Sequence, residues 1–296
     1  MSYDLFFRSR GGPPDRAGVL EWFRGREHYK VTESQAFYEN QATGVYFSFD
    51  FAEDAELPAF NVNYFRPHTF GLEAEPELGA FVRRFDLTVD DPQSDGMGEG
   101  EYSAEGFVRG WNHGNRFAHR AMISLGHVNE PLLTLPRATL EGIWRWNEGR
   151  VAYGEWLNFI EMLPCFVPTV FLFQDDQDPA RVRTGVIWGE AMSIALPEVD
   201  WLIVMEAVGA TPVVLPRAAF AERLAGYRAV SGDTRYTLDG QERAVGLTHQ
   251  LLDYDMPPAD LLPALLAAGE ARRVARLHPD QVLTAELVDE ACANKT

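Results

Sequence analysis

The chain has 296 residues, with 44 Asp and Glu against 26 Lys and Arg, a formal charge of −18. Its length exceeds a typical domain of roughly 100–150 residues, and its 46% apolar content is enough for packed cores, so a disordered chain is excluded. Acids are in excess throughout, with net −8 over residues 1–127, −5 over 128–228 and −5 over 229–296. Nucleic acid and anionic membranes are thereby excluded as partners, because both are bound through clustered Lys and Arg; a basic protein partner is electrostatically allowed.

In chain order, residues 3–8 read as a short apolar strand. Pro13, Pro14 and Asp15 make a turn and start a helix with Val19, Leu20 and Phe23 as its apolar stripe. Val45, Phe47, Phe49 and Phe51 alternate with Tyr46, Ser48 and Asp50, and Phe60, Val62 and Tyr64 repeat the pattern. Period-2 aromatics of this kind are what a half-buried antiparallel sheet needs, so the stripe reads as core packed on helices. A short helix over 76–84 and a strand over 85–89 follow. After an acidic, glycine-rich loop over 90–101, Ser103 caps a helix running to about Ser124.

Further on, the tetrapeptide Leu-Pro-Arg-Ala occurs at 135–138 and again at 215–218, each time after a strand-like run and before a helical pattern. Proline fits such helix starts because its missing N–H has no partner there. Residues 167–174 and 182–188 read as a hairpin and 200–206 as a buried strand. The remainder reads as helical: 241–252, a break at 255–258, a helix capped by Asp260 with Pro263 in its first turn, and a last helix over 281–291.

These elements predict an α+β protein. An N-terminal domain over 1–127 holds an antiparallel sheet with helices, a second α+β domain covers 128–228, and 229–296 is a helical extension. No apolar run approaches the roughly 20 residues of a membrane span. The opening MSYDLFFRSRGG places an acid before its arginines, the reverse of a secretory signal, so the expected location is the cytoplasm. Cys165 and Cys292 make neither a disulfide framework nor a zinc site and read as buried thiols of a reducing compartment.

Three patterns bear on chemistry. Asp91-Pro92-Gln93-Ser94-Asp95-Gly96 resembles the first half of a calcium loop, but the twelfth position is Tyr102 where a bidentate glutamate belongs. Asp91, Asp95, Glu99 and Glu101 are the cation-binding candidates, without a metal assigned. Gly96, Gly98 and Gly100 miss the dinucleotide fingerprint, which would need glycine at Glu101, and the surrounding acids repel phosphate. Arg109, His113, Arg116 and Arg120 share one helix face and are the candidates for holding an anion, with His113 or His119 available for proton transfer. No H-E-x-x-H, C-x-x-C, G-x-S-x-G or G-K-[ST] occurs, so nothing nominates a catalytic residue or a cofactor.

The opening MSYDLFF and the segments FYENQATGVYFSFDF and FDLTVDDPQSDGMGEGEYSAEGF resemble a family of uncharacterised acidic bacterial proteins over the first 125 residues or so. In its acidity and lack of catalytic motifs the chain is also similar in style to immunity proteins of bacterial toxin systems. That resemblance implies a non-enzymatic role, with an acidic surface covering a basic partner. The alternative is an enzyme or small-ligand binder acting on an anionic group through the Arg109–Arg120 helix face.

Overall fold

The computed structural model describes residues 1–12, 14–93, 95–128, 131–189, 193–205, 212–252, 261–271 and 274–293. The chain forms two compact units, one of residues 1–137 with 279–296 and one of residues 138–278. The fold is α+β in both. Among the described residues no helix is long and apolar enough to cross a membrane.

The first unit begins with β1 (Ser2–Ser9), α1 (Arg16–Arg24), β2 (Tyr29–Val31), β3 (Gln35–Asn40), β4 (Val45–Asp50) and β5 (Ala59–Asn63). It continues with α2 (Thr69–Phe85), β6 (Leu87–Asp90), β7 (Glu99–Gly100), α3 (Ala104–Ser124) and β8 (Thr134–Leu135). Seven strands make one antiparallel sheet in the order β2-β3-β4-β5-β1-β6-β7. β1 is central: Ser2 to Leu5 pair with β5, and Phe6 to Ser9 pair with β6. The period-2 aromatics are core, as expected. Phe47, Phe49, Phe60 and Val62 are at most 2% exposed, packed with Phe23 of α1, Phe81 of α2 and Phe107 of α3. Burying each such side chain is worth about 1.5–3 kcal/mol, with about 0.5–1.5 more for a well-placed ring pair.

α2 starts seven residues before the helix expected at Pro76. The proline costs one helical hydrogen bond, but Phe70, Ala74, Leu78 and Phe81 form one buried stripe across it. Tertiary packing therefore carries the helix through. Beneath it, Tyr38 Oη, Asn40 Nδ2 and Thr43 Oγ1 donate to the buried Glu73 Oε1 at 2.8, 2.9 and 3.0 Å. Ser103 caps α3 as its sequence predicts, accepting from the Gly106 N–H at 3.1 Å.

The second unit holds α4 (Arg137–Phe159, from Ala138 on), β9 (Phe171–Gln174), β10 (Val182–Gly189), β11 (Ile194–Pro197), β12 (Trp201–Met205) and β13 (Val213–Pro216). Then come α5 (Arg217–Leu224), β14 (Arg228–Val230), β15 (Arg235–Leu238), β16 (Gln241–Ala244), β17 (His249–Leu252), α6 (Leu261–Ala268), β18 (Glu270–Ala271) and β19 (Ala275–Leu277). Its strands are divided among a mixed six-stranded sheet, β18-β13-β12-β10-β9-β19, a three-stranded sheet, β11-β17-β14, and the hairpin β15-β16. The expected β9–β10 hairpin and buried β12 are present. The chain then returns to the first unit with β20 (Leu283–Thr284), parallel to β8, and the C-terminal helix α7 (Ala285–Ala293).

Residues 241–252 hold the strands β16 and β17 joined by a short loop, not the expected helix. Asp239 and Gly240 have φ of 50° and 75°, the backbone of a tight hairpin turn, and they join β15 to β16. β17 is the middle strand of its sheet, where His249, Leu251 and Leu252 are buried. The break expected at 255–258 and the cap Asp260 lie outside the described residues. Both Leu-Pro-Arg-Ala copies lead a strand into a helix, β8 into α4 and β13 into α5. Cys165 is buried as expected, but Cys292, near the end of α7, is exposed because it falls off that helix's buried Leu287, Val288 and Ala291 stripe.

Candidate functional site

The loop between β7's partner β6 and α3 folds around its own first acid. Asp91 is 4% exposed and accepts from Tyr3 Oη at 2.6 Å and from the Gln93 and Met97 N–H groups at 2.9 and 2.8 Å. Burial, and after it the Asp91 hydrogen bond, pushes the Tyr3 phenol far up, so it stays a donor. Gly96 is required here, since a Cβ would stand 1.8 Å from Asp91 Oδ2. Gly110 of α3 is required in turn, because a Cβ would meet Tyr3 Oη at 2.5 Å and Gly96 Cα at 2.9 Å. The half-calcium pattern thus closes the loop on a carboxylate.

The other three cation candidates point elsewhere. Asp95 faces His113 Nε2 at 3.0 Å, Glu99 pairs with Arg8, and Glu101 pairs with Arg10. The Arg10 hydrogen bond holds the Glu101 carboxyl below its ordinary range. Among the described residues no group of three or more His, Cys, Asp and Glu side chains is placed to hold a metal ion.

The basic stripe of α3 is brought together on one face, and each member meets an acceptor of its own unit. Arg109 donates to the Asp95 and Gly96 carbonyls at 3.1 and 2.8 Å. Arg116 meets Glu290 of α7 at 3.0 Å, and Arg120 pairs with the same carboxylate. These side chains are close to half exposed, so each pair adds at most about 1 kcal/mol. Their chemistry is that of a strap from loop to helix to C-terminus. His119, named with them for proton transfer, lies on the buried side against the Phe65 ring. Its Nδ1 is 2.8 Å from the Asn115 carbonyl, and burial lowers its pKa.

The outer face of the seven-stranded sheet is a feature sequence reading did not single out. Side chains alternate along a strand, so with Leu5, Phe7, Phe47, Phe49 and Phe60 inward, their neighbours face away from the core. Register sets Phe37, Ser48, Asn61 and Asp4 in one row across β3, β4, β5 and β1. Gln35, Asp50 and Ala59 form the adjacent row, and Phe6, Asp90 and Glu99 continue over β1, β6 and β7. Asp4 accepts from Ser2 Oγ at 2.8 Å and from Asn61 Nδ2; Asp50 accepts from Gln35 Nε2 and Ser48 Oγ, both at 2.7 Å. These donors are neutral. Glu39 meets Lys30, and Asp90 and Glu99 share Arg8. Among the described residues no cation pairs with Asp4 or Asp50, so negative charge stands at the middle of the face, beside Phe6, which is 48% exposed.

Two hollows of the second unit lie among the described residues. One is an open groove of about 390 Å³ beside the acidic turn at Asp175 and Asp176, where Asp175 is tied to Arg183 at 2.7 Å. The other, between β11 and α5, is about 50 Å³, far below the roughly 300 Å³ of a small-molecule pocket. No family model, curated protein or solved structure matches the chain.

Proposed function

We propose that the chain is a non-enzymatic protein-binding protein of the immunity or antitoxin type, and that it receives a basic partner on the outer face of the first unit's sheet. The observation carrying this reading is the pair Asp4 and Asp50, fixed in orientation by neutral donors and, among the described residues, not neutralised by a cation. Pre-set carboxylates beside exposed aromatic surface suit Arg- and Lys-bearing protein, and a surplus of 25 acids over 14 bases in this unit steers such a partner in. The alternative, an anionic ligand on Arg109, His113, Arg116 and Arg120, is not favoured by a geometry in which these groups already face acids and carbonyls of the same unit.

The test is co-purification with proteins encoded beside this gene, followed by association kinetics with the captured basic protein. Asp4→Asn with Asp50→Asn is expected to slow association at least tenfold at low salt and to flatten the salt dependence. Binding that is indifferent to both salt and the double variant overturns the reading.

A further inference from the structure

The second unit carries an exposed apolar tip that its own core does not use. α4 buries Leu140, Ile143, Trp146, Tyr153 and Leu157, while Val151 on its other side is 59% exposed. Where the helix ends the exposed apolar surface widens. Phe159 is 70% exposed, Ile160 61%, Met162 77% and Phe166 44%, all within eight residues, whereas Cys165 and Val167 turn inward. The backbone holds this tip in place. The Glu161 and Leu163 N–H groups return to the Trp156 and Leu157 carbonyls at 3.2 and 2.8 Å. Between them Met162 has φ of 54°, a left-handed conformation that favours glycine, so a strained position displays a large flexible apolar side chain. Aromatic residues and methionine are the types enriched in protein interfaces, and exposed apolar side chains gathered in one short segment are the raw material of such a surface.

We infer that this tip, at residues 159–166, is a second docking surface, and that its occupant is an amphipathic basic segment of a partner protein. The charge of the rim selects that occupant. Glu155 and Glu161, four residues before and two after Phe159, are exposed, as is Glu148 three residues before Val151, and Arg228 is set against Glu161 at 3.5 Å. A second copy of the chain would bring the same acids face to face across a two-fold interface. An anionic bilayer would be repelled by the rim and by the total charge of −18. A segment with an apolar stripe flanked by Lys and Arg satisfies both parts of the surface. This inference stands on the second unit alone and is independent of the sheet-face reading.

The experiment uses the full chain and two labelled 18-residue peptides of Leu and Lys with identical composition, one patterned as an amphipathic helix and one scrambled. The patterned peptide is expected to bind at least tenfold more tightly in fluorescence anisotropy. Phe159→Ser with Met162→Ser should erase that margin without moving the thermal midpoint, and Asp4→Asn with Asp50→Asn should leave it intact. Equal binding of the two peptides overturns the inference, as does a margin that survives the Phe159/Met162 variant. Concentration-dependent dimerisation in sedimentation that the same variant abolishes also overturns it, in favour of a second copy. Binding to phosphatidylcholine vesicles lost in that variant overturns it in favour of a lipid surface.

Discussion

The two units solve the same problem differently. The first packs α1, α2 and α3 on a seven-stranded sheet whose aromatic core is one connected cluster, from Tyr3 on β1 to Trp111 on α3, with α7 and the β8–β20 pair forming a smaller cluster around Ile123. The second divides its strands among three smaller sheets, and single buried polar groups join the pieces. Asn147 of α4 accepts from the Val170 N–H at 2.8 Å and donates to the Val170 carbonyl at 2.9 Å. His249 of β17 sits between the Leu247 carbonyl at 3.0 Å and Tyr153 Oη at 2.9 Å, edge-on to Trp146. An apolar cluster spreads its stability over many side chains, and in the first unit the buried polar groups Glu73, Asp91 and His119 sit beside such a cluster. A core held by polar keystones concentrates stability in a few groups and responds to pH.

The largest effect to expect is in the aromatic core. Phe49 is fully buried and touches the rings of Phe23, Phe47, Phe60 and Phe81. Phe49→Ala should cost about 3–5 kcal/mol in urea unfolding, with the loss confined to amides of the first unit in hydrogen exchange. Equal loss of protection in both units would break the comparison, since it would mean that they unfold as one.

Next in size is the pH response of the second unit. Burial pushes His249 down to about 4 from an ordinary 6.5. The unfolded chain then binds more protons between these values, so the stability due to neutral His249 is complete above about pH 6.5 and is lost as pH falls toward 4. The total is on the order of 3 kcal/mol. His249→Gln should flatten that slope for second-unit amides. His119 in the first unit is lowered by burial too and adds loss of the same sign there; a steeper slope in the first unit than in the second would reverse the contrast.

Asn147→Ala should cost about 2 kcal/mol, because the Val170 N–H and C=O lose the side chain that satisfies both. Asn147→Asp sharpens the point: it keeps the acceptor and loses the donor, so it should destabilise less at the Val170 N–H than at its carbonyl. An effect below about 0.5 kcal/mol for Asn147→Ala would show that water replaces the amide and that the keystone is not one.

What could be read from the chain follows the same divide. The first unit was legible where pattern and structure are local, in the alternation over 45–51 and 60–64 and in the Ser103 cap. Pro76 hid the first turns of α2, since only the assembled stripe from Phe70 to Phe81 outweighs it. In the second unit the Asp-Gly pair at 239–240 is a hairpin signal that the helical reading of 241–252 passed over. The candidate residues 109–120 share a helix face by their spacing, yet the Glu290 that meets Arg116 and Arg120 lies 170 residues beyond Arg120 in the chain and no spacing announces it. The Asp4 and Asp50 face was invisible for a related reason. It depends on β1 sitting beside β5, a pairing between strands more than 50 residues apart.

The smallest expected effect decides how the α3 stripe is understood. Arg116 and Arg120 share Glu290 with side chains 45%, 45% and 39% exposed. At that exposure each pair is screened, so Glu290→Gln should cost less than about 1 kcal/mol and still less in high salt. Arg116→Ala should cost a similar amount, and the two changes together less than their sum, with a coupling on the order of 0.5 kcal/mol. Those results would make the stripe a strap that fixes α7 to α3. The opposite result has its own signature. If inorganic phosphate raises the thermal midpoint of the native chain, and does so more in Glu290→Gln and not at all in Arg116→Ala, then Glu290 is occupying an anion site rather than completing a structural pair. The functional contrast would then move from the sheet face to the helix.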